Sequence, residues 1–240
     1  MLIIGPEASN IGMDVIKPVL AFPLVEKSYT YELLHHKNIY NFMARVNNLK
    51  TNAQYSNMID CLESDKTYKL TTTFPHKGKY EVKAYANYAY GNNWVYLYTQ
   101  EVEATIGYKW EEAAYQSEFF EQTGLKLVKP DRYHINCHEN YKIVLKNGLG
   151  GINFTKENMK LWTFEVTLSS VTKNSQFQNM QNVFQTPTGY EIDVWFPYKD
   201  TYIVQLSAKI LNASKIYRQN RIIEFEISSQ GLQSPSRSVL

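Results

Sequence analysis

The sequence has little of what marks several large classes of protein. Charged residues make up only 20% of the 240 residues, and the formal net charge is +2. These values exclude highly charged disordered chains and basic proteins that coat nucleic acid. Only 11 glycines occur, which excludes a collagen-like repeat, and the apolar stretches 1–4 and 19–25 are too short to cross a bilayer. We expect a folded chain with no membrane span and no nucleic acid as its main partner.

Cysteine is also scarce. The two cysteines, Cys61 and Cys137, are far apart in the sequence and form no CxxC motif. The sequence therefore predicts neither a disulfide scaffold nor a zinc ribbon. We expect reduced thiols, a cytoplasmic location and no cofactor.

Aromatic residues are abundant at 14%, with 19 tyrosines, and they favour strands because flat rings pack well on a half-buried pleated surface. Apolar and polar residues alternate with a period of two in both halves of the chain, as in residues 80–86, where Tyr80 and Val82 alternate with Glu81 and Lys83. This alternation is typical of strands that bury one face.

The two halves share two short motifs. Residues 74–82 (FPHKGKYEV) match residues 196–204 (FPYKDTYIV) at five of nine positions, and residues 12–18 (GMDVIKP) resemble residues 124–130 (GLKLVKP). The second copy is about ten residues longer between the two motifs. We expect the extra residues in a loop such as 147–158 or 169–181.

The longer motif has a physical interpretation. A strand ends on an inward Phe, Pro withholds an N–H where the strand pairing stops, and a Tyr starts the next inward row. Such a Tyr can return its hydroxyl to the backbone, as the tyrosine corner of immunoglobulin-like sandwiches does. The residues that carry the motif are Phe74, Pro75, Tyr80, Phe196, Pro197 and Tyr202.

Two such motifs predict an all-β protein of two tandem immunoglobulin-like antiparallel β-sandwich domains. We expect the sandwiches at residues 1–106 and 121–228, with a connector at 107–120 and a disordered tail at 229–240. An apolar period near 3.6 in an acidic segment predicts a helix from Tyr108 to Glu121.

The repeat resembles the immunoglobulin-like modules that lie C-terminal to the transglutaminase-like core in the kyphoscoliosis peptidase and hillarin group of cytoskeletal proteins. The matching letters are Gly5-Pro6, residues 12–15, Cys61, and residues 74–82 ahead of Tyr85-Ala86. The likeness thins in the second half, where Asp200-Thr201 replaces Gly78-Lys79. The resemblance implies a non-enzymatic protein-interaction module, associated with the cytoskeleton or a scaffold, without the catalytic core.

The candidate binding residues are Tyr88, Tyr90 and Trp94, which flank a Gly-Asn-Asn turn at a predicted hairpin tip. Exposed aromatics at a tip favour binding, either of a protein partner or of a carbohydrate. Burial of alternate rings in the sandwich is the competing interpretation.

A second cluster, His134, Cys137 and His138, offers three potential metal ligands within five residues. Cys137 beside an imidazole could also be a nucleophile, as in a fragment of a transglutaminase-like cysteine enzyme. No second ligand pair and no adjoining Gly-rich turn support either role, so we favour a polar turn before a strand.

The C-terminal residues Ser238, Val239 and Leu240 fit the pattern whose carboxylate PDZ domains capture by strand addition. Glycosylation sequons at Asn153 and Asn212 are interpreted as chance matches in an Asn-rich chain.

Overall fold

The computed structural model describes residues 2–17, 22–35, 39, 41–56, 58–64, 66–88, 94–107, 113–148, 160–211 and 217–231. Strands dominate this part of the chain, and its two helices have five residues each. The all-β prediction of two immunoglobulin-like sandwiches is confirmed.

The first sandwich contains two facing sheets. Sheet A has the strand order β1-β10-β9-β5-β6, with β3 pairing in parallel to another part of β10, and sheet B has the order β2-β4-β8-β7. The elements in chain order are β1 (Leu2–Ile4), α1 (Pro6–Asn10), β2 (Met13–Lys17), β3 (Leu24–Val25), β4 (Ser28–His35), β5 (Asn41–Asn48), β6 (Gln54–Ser56), β7 (Ile59–Glu63), β8 (Thr67–Thr73), β9 (Gly78–Asn87) and β10 (Trp94–Ala104).

The second sandwich repeats this plan. Sheet C has the order β11-β20-β19-β15-β16, with β13 parallel to β20, and sheet D has the order β12-β14-β18-β17. The elements are β11 (Tyr115–Gln116), α2 (Glu118–Gln122), β12 (Leu125–Lys129), β13 (His134–Cys137), β14 (Asn140–Asn147), β15 (Lys160–Ser170), β16 (Gln176–Gln178), β17 (Gln181–Thr186), β18 (Gly189–Trp195), β19 (Asp200–Leu211) and β20 (Tyr217–Ser229).

Every described element of one half thus has an equivalent in the other, and the pairing registers assign equivalent residues. Tyr31 pairs with Leu70 in the first half, and Ile143 pairs with Ile192 in the second. Asn48 pairs with Tyr80, and Ser170 pairs with Tyr202. The difference in residue number between equivalent positions of the two halves is therefore larger at β15 than at β14, so the additional residues lie between these two strands. The alternative, residues 169–181, is wrong because β16 matches β6 without an insertion.

Alternation along the strands builds a core between the two sheets of each sandwich. In β9 the buried residues Tyr80, Val82, Ala84 and Ala86 face sheet B, while Glu81, Lys83 and Tyr85 point to the outside of sheet A. The first core contains Tyr31, Leu70, Phe74 and Tyr98, and the second contains Ile143, Phe164, Phe196 and Phe225.

Both FP motifs form the corner geometry. The hydroxyl of Tyr80 donates to the carbonyl of His76 at 2.7 Å, and that of Tyr202 donates to the carbonyl of Tyr198 at 2.8 Å. Gly107 packs against this corner with φ +69°, where a Cβ would lie 2.3 Å from the His76 carbonyl carbon. Gly231 has the same place at the second corner, so both positions require glycine.

The helix predicted from Tyr108 to Glu121 is wrong in extent. Residues 108–112 lie outside the described residues, Tyr115 and Gln116 pair with β20, and the helix covers only Glu118–Gln122. Its start is fixed by Ser117, whose side chain accepts a hydrogen bond from the backbone N–H of Phe120. Among the residues that set the apolar period, Trp110 lies outside the described residues and Ala113 is exposed. Ala114 is buried from the segment before β11, and Phe120 is buried from α2.

Candidate functional site

The structure places the residues of the predicted hairpin tip in different settings. Tyr88 is 40% exposed, and Tyr90 lies outside the described residues. Trp94 begins β10 and is partly buried. It lines a cleft of about 190 Å³ between the sandwiches, together with Phe42 of the first half and Ser207 and Arg221 of the second.

The residues His134, Cys137 and His138 do not converge on one site. The Nδ1 atom of His134 lies 2.6 Å from Glu226, while Cys137 packs against the second core and His138 is exposed. Burial raises the pKa of the Cys137 thiol, and a hydrogen bond with Ser229 offsets this only in part. A nucleophilic cysteine needs the opposite shift. The described residues contain no group of three or more His, Cys, Asp or Glu side chains that could hold a metal ion.

Three further predictions concern residues outside the described ranges. These are the PDZ-type terminus Ser238, Val239 and Leu240, and the two sequons at Asn153 and Asn212.

The most elaborate polar site in the described residues lies where the two sandwiches meet. We call it the seam. It forms where the β6 and β7 edge of the first sandwich, with the end of β8, lies on the outer face of sheet C. Its residues are Met58, Asp60, Thr73 and His76 from the first half, and Tyr115, Tyr133, His134, Gln205, Arg221, Glu224 and Glu226 from the second.

Arg221 is the centre of the seam and is only 2% exposed. Its Nε donates to Asp60 at 2.7 Å, and its Nη1 donates to the hydroxyl of Thr73 at 2.7 Å and to the carboxylate of Glu224. Burial disfavours the charge, but Asp60 and Glu224 outweigh it and hold the pKa of Arg221 above its usual value. One guanidinium thus ties β7 and β8 of the first sandwich to β20 of the second.

Glu224 is fully buried and is the common acceptor of this network. It accepts hydrogen bonds from Thr73 at 3.2 Å, Tyr133 at 3.2 Å and Gln205 at 3.2 Å, besides that from Arg221. The Tyr115 hydroxyl donates to Asp60, and its ring lies 4.9 Å from the Arg221 guanidinium carbon. Glu224 is therefore satisfied from both sandwiches, and Asp60 of the first sandwich is satisfied by two donors of the second, as a buried charge requires.

Glu226 forms a second bridge across the seam. Its carboxylate lies 2.7 Å from Nε2 of His76 in the first half and 2.6 Å from Nδ1 of His134 in the second. Burial raises the pKa of Glu226, but the hydrogen bonds and charges of His76 and His134 outweigh burial and leave it below the usual value. His76 belongs to the first FP motif, so the corner also positions a residue of the seam.

Sequence reasoning missed the seam, because the pattern of β20 looks like that of any half-buried strand. Ile223, Phe225 and Ile227 alternate with Glu224 and Glu226, and such acidic residues normally face water. The sequence shows which face is polar, but it does not show that a second domain covers that face.

The equivalent face of the first sandwich is less covered by the residues that the structure describes. On the outer side of sheet C, all nine central positions of β15, β19 and β20 are buried, whereas none of their nine equivalents in sheet A is buried. The covered set is Glu165, Thr167, Ser169, Ile203, Gln205, Ser207, Arg221, Glu224 and Glu226. The uncovered set is Met43, Arg45, Asn47, Glu81, Lys83, Tyr85, Tyr96, Thr99 and Glu101.

The centre of this uncovered surface, which we call the open face, consists of Arg45, Lys83, Tyr85, Tyr96 and Thr99. The rings of Tyr85 and Tyr96 meet edge to face with centroids 5.8 Å apart, and the Arg45 guanidinium lies 5.8 Å from the Tyr85 centroid. The Tyr96 hydroxyl donates to Thr99 at 2.6 Å, and Lys83 pairs with Glu81 at 2.9 Å. The open face is therefore an ordered, aromatic and weakly charged surface.

Comparison with known proteins finds similarity to solved structures only. No protein-family model and no curated protein matches the chain. Among solved structures, the chain is similar to the FN1–FN3 domains of chicken CNTN1, at 10% identity over 92% of this chain and 66% of that one, with a TM-score of 0.26. It is also similar to titin domains Z1Z2 in complex with telethonin, at 15% identity over 92% and 98% of the chains and a TM-score of 0.22. The polymeric immunoglobulin receptor ectodomain of a teleost fish matches at 9% identity over 89% and 96%, also at 0.22.

The fold and the seam together define the class: a tandem immunoglobulin-like protein whose two sandwiches are fixed to each other by buried ion pairs. In the part of the chain that the structure describes, no helix has the length and apolarity needed to cross a membrane.

Proposed function

We propose that the chain is a non-enzymatic protein-interaction module that binds a protein partner through the open face. The proposal rests on the contrast between two equivalent surfaces. The sheet C face binds a sandwich within the chain, whereas the sheet A face has the same strand arrangement but is not buried by any described part of the chain. A sheet face of this fold is thus already used for protein docking once in the same molecule.

The residues of the open face suit such a role. Tyrosine and arginine are enriched among the interface residues that contribute most to the binding free energy. Rigid aromatic rings also lose little conformational entropy when a partner covers them. Tyr85 and Tyr96 are held by each other and by Arg45 and Thr99, so the surface is organised before a partner arrives. This reduces the cost of binding.

The resemblance to modules of cytoskeletal proteins makes a cytoplasmic filament or scaffold protein the first partner to test. The chemistry of Cys137, a thiol whose pKa is raised by burial, supports a binding module over a cysteine enzyme. The C-terminal tripeptide remains a separate proposal for PDZ capture.

The test is affinity capture from a lysate of the source cells, followed by direct binding of each recovered protein. The bait would be the full chain, a variant with Arg45→Glu and Tyr85→Ala on the open face, and a control with Lys126→Glu on β12. We expect a partner that binds the wild type and the control at equal affinity and the open-face variant at least about 10-fold more weakly, which equals 1.4 kcal/mol. A partner that binds all three equally would refute the open face as the site.

A further inference from the structure

We propose that the open face binds the β16–β17 edge of a second copy of this chain, so that copies assemble head to tail. This rests on the proposed function, because it assigns an occupant to the same surface. The edge surface consists of β16 (Gln176–Gln178), Met180, β17 (Gln181–Thr186) and Trp195.

The seam already contains this kind of docking once. Within the chain, the β6–β7 edge of the first sandwich lies on the outer face of sheet C. The element equivalent to β6–β7 is β16–β17, and the face equivalent to that of sheet C is the open face. The edge that binds in the first half and the face that receives it in the second half are both covered. Among the described residues, their equivalents are mostly exposed or partly exposed, and Gln178 and Met43 at their margins line the cleft between the sandwiches.

Individual residues support the correspondence. Met58 and Asp60 contact Arg221 and Gln205 in the seam and are 0% and 7% exposed. Their equivalents by strand register are Met180, which is partly exposed, and Asn182, which is exposed. Thr73, fully buried in the seam, corresponds to Trp195, which is partly exposed. A methionine is therefore kept at the centre of the edge, and a large ring is present where a neighbouring chain would cover it.

Independently of the repeat, the β16–β17 edge lacks the protection that other edge strands of the chain have. Natural sheets protect an exposed edge with charges, proline or a bulge, because unpaired N–H and C=O groups recruit other chains. The strands β2 and β12 each have a bulge and a lysine. Residues 176–186 (QFQNMQNVFQT) contain no charge, no proline and no glycine, and Phe184 is 50% exposed. The β16–β17 edge therefore has the uncharged, partly apolar composition of a surface that another chain covers.

The two surfaces are also compatible in charge. The seam needs Asp60 because Arg221 faces it, and either charge alone would be costly to bury. At the equivalent positions, Tyr96 replaces Arg221 and Asn182 replaces Asp60. Lys83 is already paired with Glu81 on the open face. Arg45 stacks on the Tyr85 ring, so an uncharged edge adds no like-charge contact to the open face.

The face and the edge are different surfaces, so the contact is heterologous and each assembled copy keeps one free face and one free edge. The assemblies therefore become longer as the protein concentration rises, instead of stopping at a dimer. Two variants that each block one surface should complement each other, because one still offers an edge and the other still offers a face.

The experiment is sedimentation velocity of the full chain over a concentration series. The variants are the face-blocked Arg45→Glu with Tyr85→Ala, the edge-blocked Asn182→Lys with Phe184→Lys, and the control Lys126→Glu on the guarded strand β12. Near-UV circular dichroism and the denaturation midpoint of each would show that the fold is kept.

We expect the average mass of wild type and control to rise by at least about twofold with concentration. Each blocked variant alone should stay monomeric, and an equimolar mixture should form dimers that do not grow. A wild type that remains monomeric throughout overturns the inference, and if a captured partner still depends on the open face, the proposed function stands alone. A face-blocked variant that still dimerises would also overturn it, in favour of edge-to-edge pairing of β17.

Discussion

Replacing Arg221 by methionine should be among the most damaging single substitutions in the seam. Methionine keeps the length and most of the apolar volume of the side chain, so the main loss is the charge and its hydrogen bonds. Arg221 is the guanidinium between two buried carboxylates, Asp60 and Glu224, and it lies 2.7 Å from the first. Without it, both carboxylates stay in the seam with no cation in direct contact.

The magnitude follows from that charge balance. Removing one partner of a buried ion pair typically costs about 3–5 kcal/mol, because the remaining charge is left uncompensated. Asp60→Asn is the informative comparison, since it leaves Arg221 paired with Glu224 and removes only a charged hydrogen bond, at about 1.5–3 kcal/mol. A surface pair, Lys142 with Glu191 at 2.6 Å, is the control, and Glu191→Gln should cost less than about 1 kcal/mol.

Urea denaturation, followed by tryptophan fluorescence and far-UV circular dichroism, would give the free energies of unfolding. We expect the order of cost Arg221→Met, then Asp60→Asn, then Glu191→Gln. We also expect the Arg221→Met unfolding curve to separate into two transitions, because the seam no longer couples the sandwiches. If Arg221→Met costs no more than Glu191→Gln and the transition remains unchanged, the reasoning on the seam is refuted.

Three further predictions follow from the bridges, the corners and the buried thiol. The pKa of Glu226 is lowered in the folded state. Its stabilising effect is therefore complete when the pH is above the ordinary carboxyl pKa, and it is lost as the pH falls through the lowered pKa. Glu226→Gln should flatten the acid side of the plot of stability against pH, and an unchanged plot would contradict this. Tyr80→Phe and Tyr202→Phe should each cost about 1 kcal/mol in urea denaturation, because each removes one part-buried hydrogen bond. A loss in only one of them would show that the corners are not equivalent. Alkylation of Cys137, whose pKa is raised by burial, should be slower at neutral pH than alkylation of free cysteine. A faster reaction would support a role of Cys137 as a nucleophile.

Much of the fold could be predicted from the sequence because local rules determine it. Alternation placed Tyr80, Val82 and Ala84 on one side of β9, and they are buried there. The repeated FP motif gave the number of sandwiches, since a corner is specified by a Pro, a turn and a Tyr within seven residues. The helix was predicted too long because Ala114 and Phe120, whose spacing imitates a helical period, are buried from two different segments.

The seam could not be predicted, because it depends on how two finished sandwiches fit together. Arg221 and Asp60 are 161 residues apart, and neither stands in a pattern that differs from an ordinary solvated strand. The hydrogen bond between Asn174 and the backbone N–H of Gln54, at 2.7 Å, likewise joins two surface turns that only docking brings together.

The contrast between the two halves shows how one architecture carries two kinds of surface. The repeat keeps the residues that build each sandwich, such as Phe74 and Phe196, since both cores need them. It changes the residues on the outer faces, where Arg221 stands in one half and Tyr96 in the other. Two surfaces of one chain meet at a high effective concentration. Their contact can therefore include buried ions that add specificity but little net free energy of association. A contact between separate chains must supply its own free energy, and the aromatic open face is better suited to that than a second set of buried charges.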